Sequence, residues 1–337
     1  MRCPSIQRVT RPRLVVPKHH RYHSAQVSAR LQRVDSAQLT LLTSQLALSR
    51  PRLPRFLPTV QQHRASSTTA STMADLKAIL TPELLEGIRD FWFSHVGDED
   101  SLICPAQEDI QAWFMGGEDF DNRCIEKFVP VLEAIKAANV SSGKAIVEAG
   151  QVKTPLDYLS LLLLLDQLPR NCYRGMSSDI VFRYYDPLAR DVAEMALAAG
   201  VLEDPSIRWV ICRRMWFCLP LVHSEDLPTH SRAMKMCEDL VTDMEALVNP
   251  TTTGQQDADA DEAKDRAARV VDGKKAVADL AKMQLSIEEK HMDILRDFGR
   301  YPHRNAPLGR VSSKEEEAYL ANGGESFAPP AKDKQTA

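Results

Sequence analysis

Arginine, histidine and carboxylate residues concentrate in three short stretches of this chain, each broken by Pro or Gly. They are Asp166-Gln167-Leu168-Pro169-Arg170-Asn171, with Arg174 just beyond; Pro220-Leu221-Val222-His223-Ser224-Glu225-Asp226; and Phe298-Gly299-Arg300-Tyr301-Pro302-His303-Arg304-Asn305, followed by Gly309-Arg310. The planar fork of an arginine holds a carboxylate or phosphate bidentately. An imidazole beside a carboxylate pairs a general acid or base with the group that orients it. His223 and His303 are therefore candidate acid/base groups, with Glu225 and Asp226 as the catalytic carboxylates that would orient His223. Arg170, Arg174, Arg300, Arg304 and Arg310 are candidate anion-binding groups. Asp166, Gln167, Asn171 and Asn305 are candidate orienting groups.

Each stretch also has a purely structural reading. Asp166 with Arg170 and Arg174 would close a helix C-terminus, where the macrodipole favours a cation. Ser224 would cap a helix carrying Glu225 and Asp226 in its first turn. Arg300, Arg304 and Arg310 repel one another unless acids or a bound anion offset them. The chain's own Asp166, Glu225 and Asp226 are available for that purpose. His291 stands alone on a helix, where packing is the commoner role.

Other chemistries find no support in the spacing. Asp257, Asp259 and Asp261 open like a calcium loop, but Glu262 and Ala268 stand where glycine and glutamate are required. There is no Walker loop, dinucleotide fingerprint, His-Glu-x-x-His helix or nucleophile elbow. Ser224 beside His223 is not a nucleophile–base pair by spacing. Histidine and carboxylate also suit a metal, but no ligand set emerges, so no metal or cofactor is assigned.

Charge divides the 337 residues sharply. Residues 1–72 carry 12 Lys/Arg and one acid, Asp35, whereas 73–337 hold 30 basic and 45 acidic side chains. An acidic body argues against a broad nucleic-acid surface. The Arg- and Ser-rich head reads as a transit peptide or disordered leader, with Met73 as a second start. The protein is expected in mitochondria if translated from Met1 and in the cytoplasm if from Met73. The longest apolar run, Leu159 to Leu165, is far short of a bilayer span, and seven scattered cysteines suit a reducing compartment.

The elements that must position the three stretches are helical. Thr81-Pro82-Glu83, Thr154-Pro155-Leu156-Asp157 and Ser313-Lys314-Glu315-Glu316 each read as a helix start. The spacing predicts helices from Thr154 to about Leu168, ended by Pro169, and over 125–138, 186–199, 206–218, 229–248 and 262–298. One short strand is expected near 144–148. This gives an all-α protein with one helical domain over 73–327. It is interrupted by a polar insertion at 249–275 and followed by a disordered tail at 328–337.

The three stretches, together with Asp90-Phe91-Trp92-Phe93, Trp113-Phe114, Arg174-Gly175 and Gly323-Gly324-Glu325-Ser326-Phe327, resemble the "domain of unknown function 924" family over most of 86–327. The resemblance implies a tetratricopeptide-repeat-like superhelical array of antiparallel helices and no settled activity. The residues themselves suggest a small-molecule site, with a hydrolase acting on a phosphate- or carboxylate-bearing substrate as the leading expectation. Two rivals stand beside it: a helical module gripping acidic peptides of a protein partner, and a buried ion network with a structural role only.

Overall fold

The computed structural model describes residues 75–115, 117–249 and 258–327. The basic leader, part of the polar insertion and the C-terminal tail lie outside them. Among the described residues the chain is all-α, with no strand. No helix there is long and apolar enough to cross a membrane.

Local signals set several helix starts. Thr81 caps Pro82–Phe93 by accepting from the Leu84 N–H. Thr154 with Asp157, and Ser313 with Glu316, form complete capping boxes on Pro155–Leu162 and Lys314–Ala321. The apolar faces of these and neighbouring helices meet in one large core, including the fully buried Leu159 and Leu161 through Leu165. Each such leucine contributes about 1.5–3 kcal/mol by leaving water. The Leu227–Val248 helix packs along Ala276–Phe298. A small satellite cluster of Ile294, Leu295 and Tyr301 sits at the end of that second helix.

Four expected elements differ. The strand near 144–148 is the helix Gly143–Ala149, capped by Ser142. It packs so closely on a neighbouring helix that a Cβ at Gly143 would fall 2.5 Å from that of Asp191. The long helix over 262–298 is two, Ala258–Val271 and Ala276–Phe298, parted where Asp272 and Gly273 both take positive φ. The helix over 206–218 breaks into short pieces, Pro205–Arg208, Ile211–Arg214 and Met215–Phe217. Pro169 does not stop the helix that begins at Pro155. The chain instead widens into a π-turn, Leu163–Gln167, and runs on through Leu168–Cys172.

Candidate active site

Two π-turns carry or adjoin acidic residues at the site. In Leu163–Gln167 the Leu168 N–H reaches back five residues to the Leu163 carbonyl. In Val181–Tyr185 the Asp186 N–H reaches Val181 in the same way. Each turn is followed two residues later by a proline, Pro169 or Pro187. A proline in a regular helix clashes with the carbonyl four residues back. Here those carbonyls, of Leu165 and Arg183, lie inside the widened turns. Asp166 lies inside the first turn and Asp186 directly after the second, and Arg170 reaches both; π-turns are frequent at functional sites.

Asp166 is 1% exposed, and its Oδ1 lies 2.7 Å from His223 Nδ1. Gln167 donates to its other oxygen. Burial works against charge on Asp166, but His223 and Arg170 outweigh it and hold the carboxyl below its usual range. His223 is pushed below the ordinary imidazole value, chiefly by burial and then by the Arg170 charge, against the pull of Asp166. An ionised Asp166 can only accept, so Nδ1 carries the proton and the ring is a neutral base. Its Nε2 is the nitrogen left for the cavity that His223 lines.

The backbone around His223 is held with unusual completeness. Three successive carbonyls each receive a side-chain donor: Val222 from the Tyr301 hydroxyl at 2.7 Å, His223 from Arg304 Nη1 at 3.0 Å, and Ser224 from His230 Nε2 at 2.8 Å. His230 is fully buried and sits 2.7 Å from Glu288, itself 1% exposed.

A cavity of about 110 Å³ opens in front of His223. Arg190, Arg304 and Arg310 line it with Asp186, Glu225 and Ser224, and Phe182, Pro187, Pro220 and Leu308 form its apolar wall. Three arginines against two carboxylates leave one positive charge in excess. Behind the wall, Arg170 bonds Asp186 at 2.8 Å and approaches Asp166 at 3.7 Å. These two acids outweigh the cost of burying the guanidinium and keep it charged. Arg310 grips Glu225 with both Nη atoms, at 2.9 and 2.7 Å. Such a cavity, with a neutral base facing a cationic wall, can bind an anion and deprotonate a water beside it. Among the described residues no group of three His, Cys, Asp or Glu is placed to hold a metal.

Thus the structure brings Asp166, Gln167, Arg170, His223, Glu225, Arg304 and Arg310 together, from all three stretches. The expected orientation of His223 by Glu225 or Asp226 is corrected: Asp166, from another helix, holds the ring, while Asp226 caps Leu227–Val248 through Thr229. Arg174 turns away to Asp121 and to Asn171 Oδ1, and Arg300 to Glu316. Asn171 and Asn305 tie helix ends, through Gln167 O and through Ser312 and Glu316 respectively. His303 is not on the cavity wall. Burial, then the Arg304 charge, depress its pKa to about 3. Asp186, Arg190 and Phe182 were missed in the sequence, where Asp186 reads simply as a helix start. The signal lay in a repeated pairing, Asp166 with Arg170 and Asp186 with Arg190, each four residues apart across a proline.

No curated protein matches this chain. One solved structure, a protein of unknown function from Agrobacterium tumefaciens, is similar at 26% identity, with 72% of this chain and 98% of that one covered and a TM-score of 0.44. The family described as "Bacterial protein of unknown function (DUF924)" matches residues 88–324, which include every residue of the cavity wall, and the chain belongs to that family.

Proposed function

We propose that the protein hydrolyses a small anionic substrate in this cavity, with His223 as general base. The observation that carries the reading is the 2.7 Å contact between His223 Nδ1 and the buried Asp166, on a ring that also lines an arginine-rich cavity. His223 Nε2 takes a proton from water as the oxygen adds to the acyl or phosphoryl centre. The bond to the leaving group then breaks, and the imidazolium returns the proton to that group. Asp166 stabilises the imidazolium, and Arg190 and Arg304 hold the substrate's charge. A positioned base of this kind supplies about 10²–10⁴-fold.

The test is turnover by the full-length protein on a panel of carboxylate-bearing esters and amides and of phosphate esters. Loss of turnover in a folded His223→Gln variant is expected. A panel without any His223-dependent hydrolysis would count against the reading.

Arg174 and Arg300 have a structural role instead, since each is paired bidentately with an internal carboxylate. We read the paired helices as the tetratricopeptide-like array that the family resemblance implies, and residues 1–72 as a transit leader. Import of a reporter fused to residues 1–72 into mitochondria tests the latter.

A further inference from the structure

Arginines in this chain use one recurrent geometry. Arg174 places Nε and Nη2 on the two oxygens of Asp121, at 3.0 and 2.6 Å. Arg208 does the same to Asp243, at 3.1 and 3.0 Å. Arg300 repeats it on Glu316, at 2.6 and 2.8 Å. In each case the side edge of the guanidinium, whose two N–H bonds run parallel, meets the two parallel acceptors of a carboxylate.

Arg304 has the same edge without such a partner. Only its Nη1 is engaged, by the His223 carbonyl at 3.0 Å and Asp186 Oδ2 at 3.6 Å. Neither Nε nor Nη2 has a hydrogen-bond partner among the described residues, and Nε is buried. The side chain is 7% exposed, so this unmet donor is costly where it lies. Two ring contacts help hold it, with the guanidinium carbon 4.5 Å from the centre of Phe182 and 4.7 Å from that of Tyr301. Arg304 and Phe182 both line the cavity. The rigid fork is thus built before any ligand arrives.

We infer that the side edge of Arg304 binds a carboxylate of the ligand, which makes carboxylate-bearing molecules the substrate class of this cavity. The charge count agrees. One excess positive charge on the wall is neutralised by a single carboxylate, whereas a phosphomonoester brings nearly two negative charges and would leave one facing Asp186 and Glu225. Arg190 stands beside the same wall, with one Nη atom 3.3 Å from Ser224 Oγ, and adds a second, more exposed cation for the same group. The inference rests on the hydrolase reading for the word substrate, and on the arginine geometry alone for the carboxylate.

The experiment follows the Arg304 Nε–H resonance by nuclear magnetic resonance in the full-length protein. Sodium acetate, sodium benzoate and sodium phosphate are titrated at constant ionic strength, with sodium chloride as the reference. Acetate or benzoate should move the resonance saturably. Arg304→Lys, which keeps the charge, loses the fork and is followed by isothermal titration calorimetry beside the parent protein, should weaken their binding by roughly ten- to a hundredfold, the worth of a charged hydrogen-bond pair. Phe182→Leu, which leaves every donor in place but removes one stacking ring, should weaken it less, and it stands in if the lysine variant does not fold. Saturation by phosphate and not by carboxylates, or by none of the three, overturns the inference. His223→Gln separates the two readings. Carboxylate binding that survives in a protein with no hydrolysis leaves this inference standing and the hydrolase reading fallen. His223-dependent hydrolysis with no carboxylate at Arg304 does the reverse.

Discussion

In the segment 163–172 the acid lies inside the widened turn, and in 181–190 it lies one residue beyond it. Both turns admit a proline that a regular helix would refuse, and both carry an arginine four residues after the acid. Their outcomes differ. Asp166 faces His223 at 2.7 Å and Arg170 at 3.7 Å, while Asp186 faces two cations, Arg170 at 2.8 Å and Arg304 at 3.6 Å. The same backbone device thus places its acid differently: Asp166 is the fourth residue of its turn, and Asp186 falls two positions later relative to its own; in the hydrolysis proposed above, the first would serve the proton and the second the substrate's charge.

The sharpest break in this comparison comes from neutralising each acid in turn. Asp166→Asn should lower hydrolysis by about 10²–10⁴-fold, because an amide no longer fixes the tautomer or stabilises the imidazolium. Asp186→Asn should act mainly on substrate affinity, with kcat changed far less. Steady-state kinetics on both variants separates the roles, and equal losses of kcat would erase the distinction. In equilibrium denaturation the order reverses. Asp186→Ala leaves the buried Arg304 and the largely buried Arg170 short of a counter-charge and should cost about 3–5 kcal/mol.

Acid should reveal a smaller difference. Burial depresses His223 despite the pull of Asp166, and it depresses His303, which also lies beside Arg304, and His291 each to about 3. Unfolded, each titrates near pH 6.5. Below that pH the unfolded chain takes up protons that the native protein refuses. The stability they provide is therefore full above about pH 6.5 and is lost as pH falls toward their native values. Each histidine adds at most about 1.4 kcal/mol per pH unit to that slope. The melting temperature measured between pH 7 and pH 4 should fall less steeply in His303→Gln than in the parent. By the same depression, the acidic limb of the rate profile should lie below the ordinary histidine range. Smallest of all, Pro169→Ala and Pro187→Ala should each lose about 0.4–1 kcal/mol, through the unfolded chain's freedom alone. A larger loss at either would mean that its proline does more than tolerate the turn.

What the sequence revealed follows from the range of the forces involved. The caps at Thr81, Thr154 and Ser313 act over three residues, and all three were readable as spacing. The three charged stretches were readable as composition, and they do converge. Their pairings were not readable, because partners lie far apart: Asp166 is 57 residues from His223, and Glu225 is 85 from Arg310. Glu316 shows the difficulty in one residue. Its place in a capping box is local and was foreseen, while its grip on Arg300 is tertiary and was not. The π-turns leave no periodic trace, so Asp186 and Arg190 passed as the start of an ordinary helix.

The three carbonyls at 222–224 carry a consequence for the order in which the protein is made. Two of their donors, Tyr301 and Arg304, come from 79 and 81 residues further along the chain. During synthesis the helices that hold Asp166 can pack well before those donors leave the ribosome. His223 then has its acid within reach but no fixed backbone beneath it. Closing so long a loop is entropically costly and is repaid only when both ends are present. His223 is therefore fixed among the last events of folding, and a chain cut short before Arg304 would carry His223 and Asp166 without the full set of donors that holds residues 222 and 223.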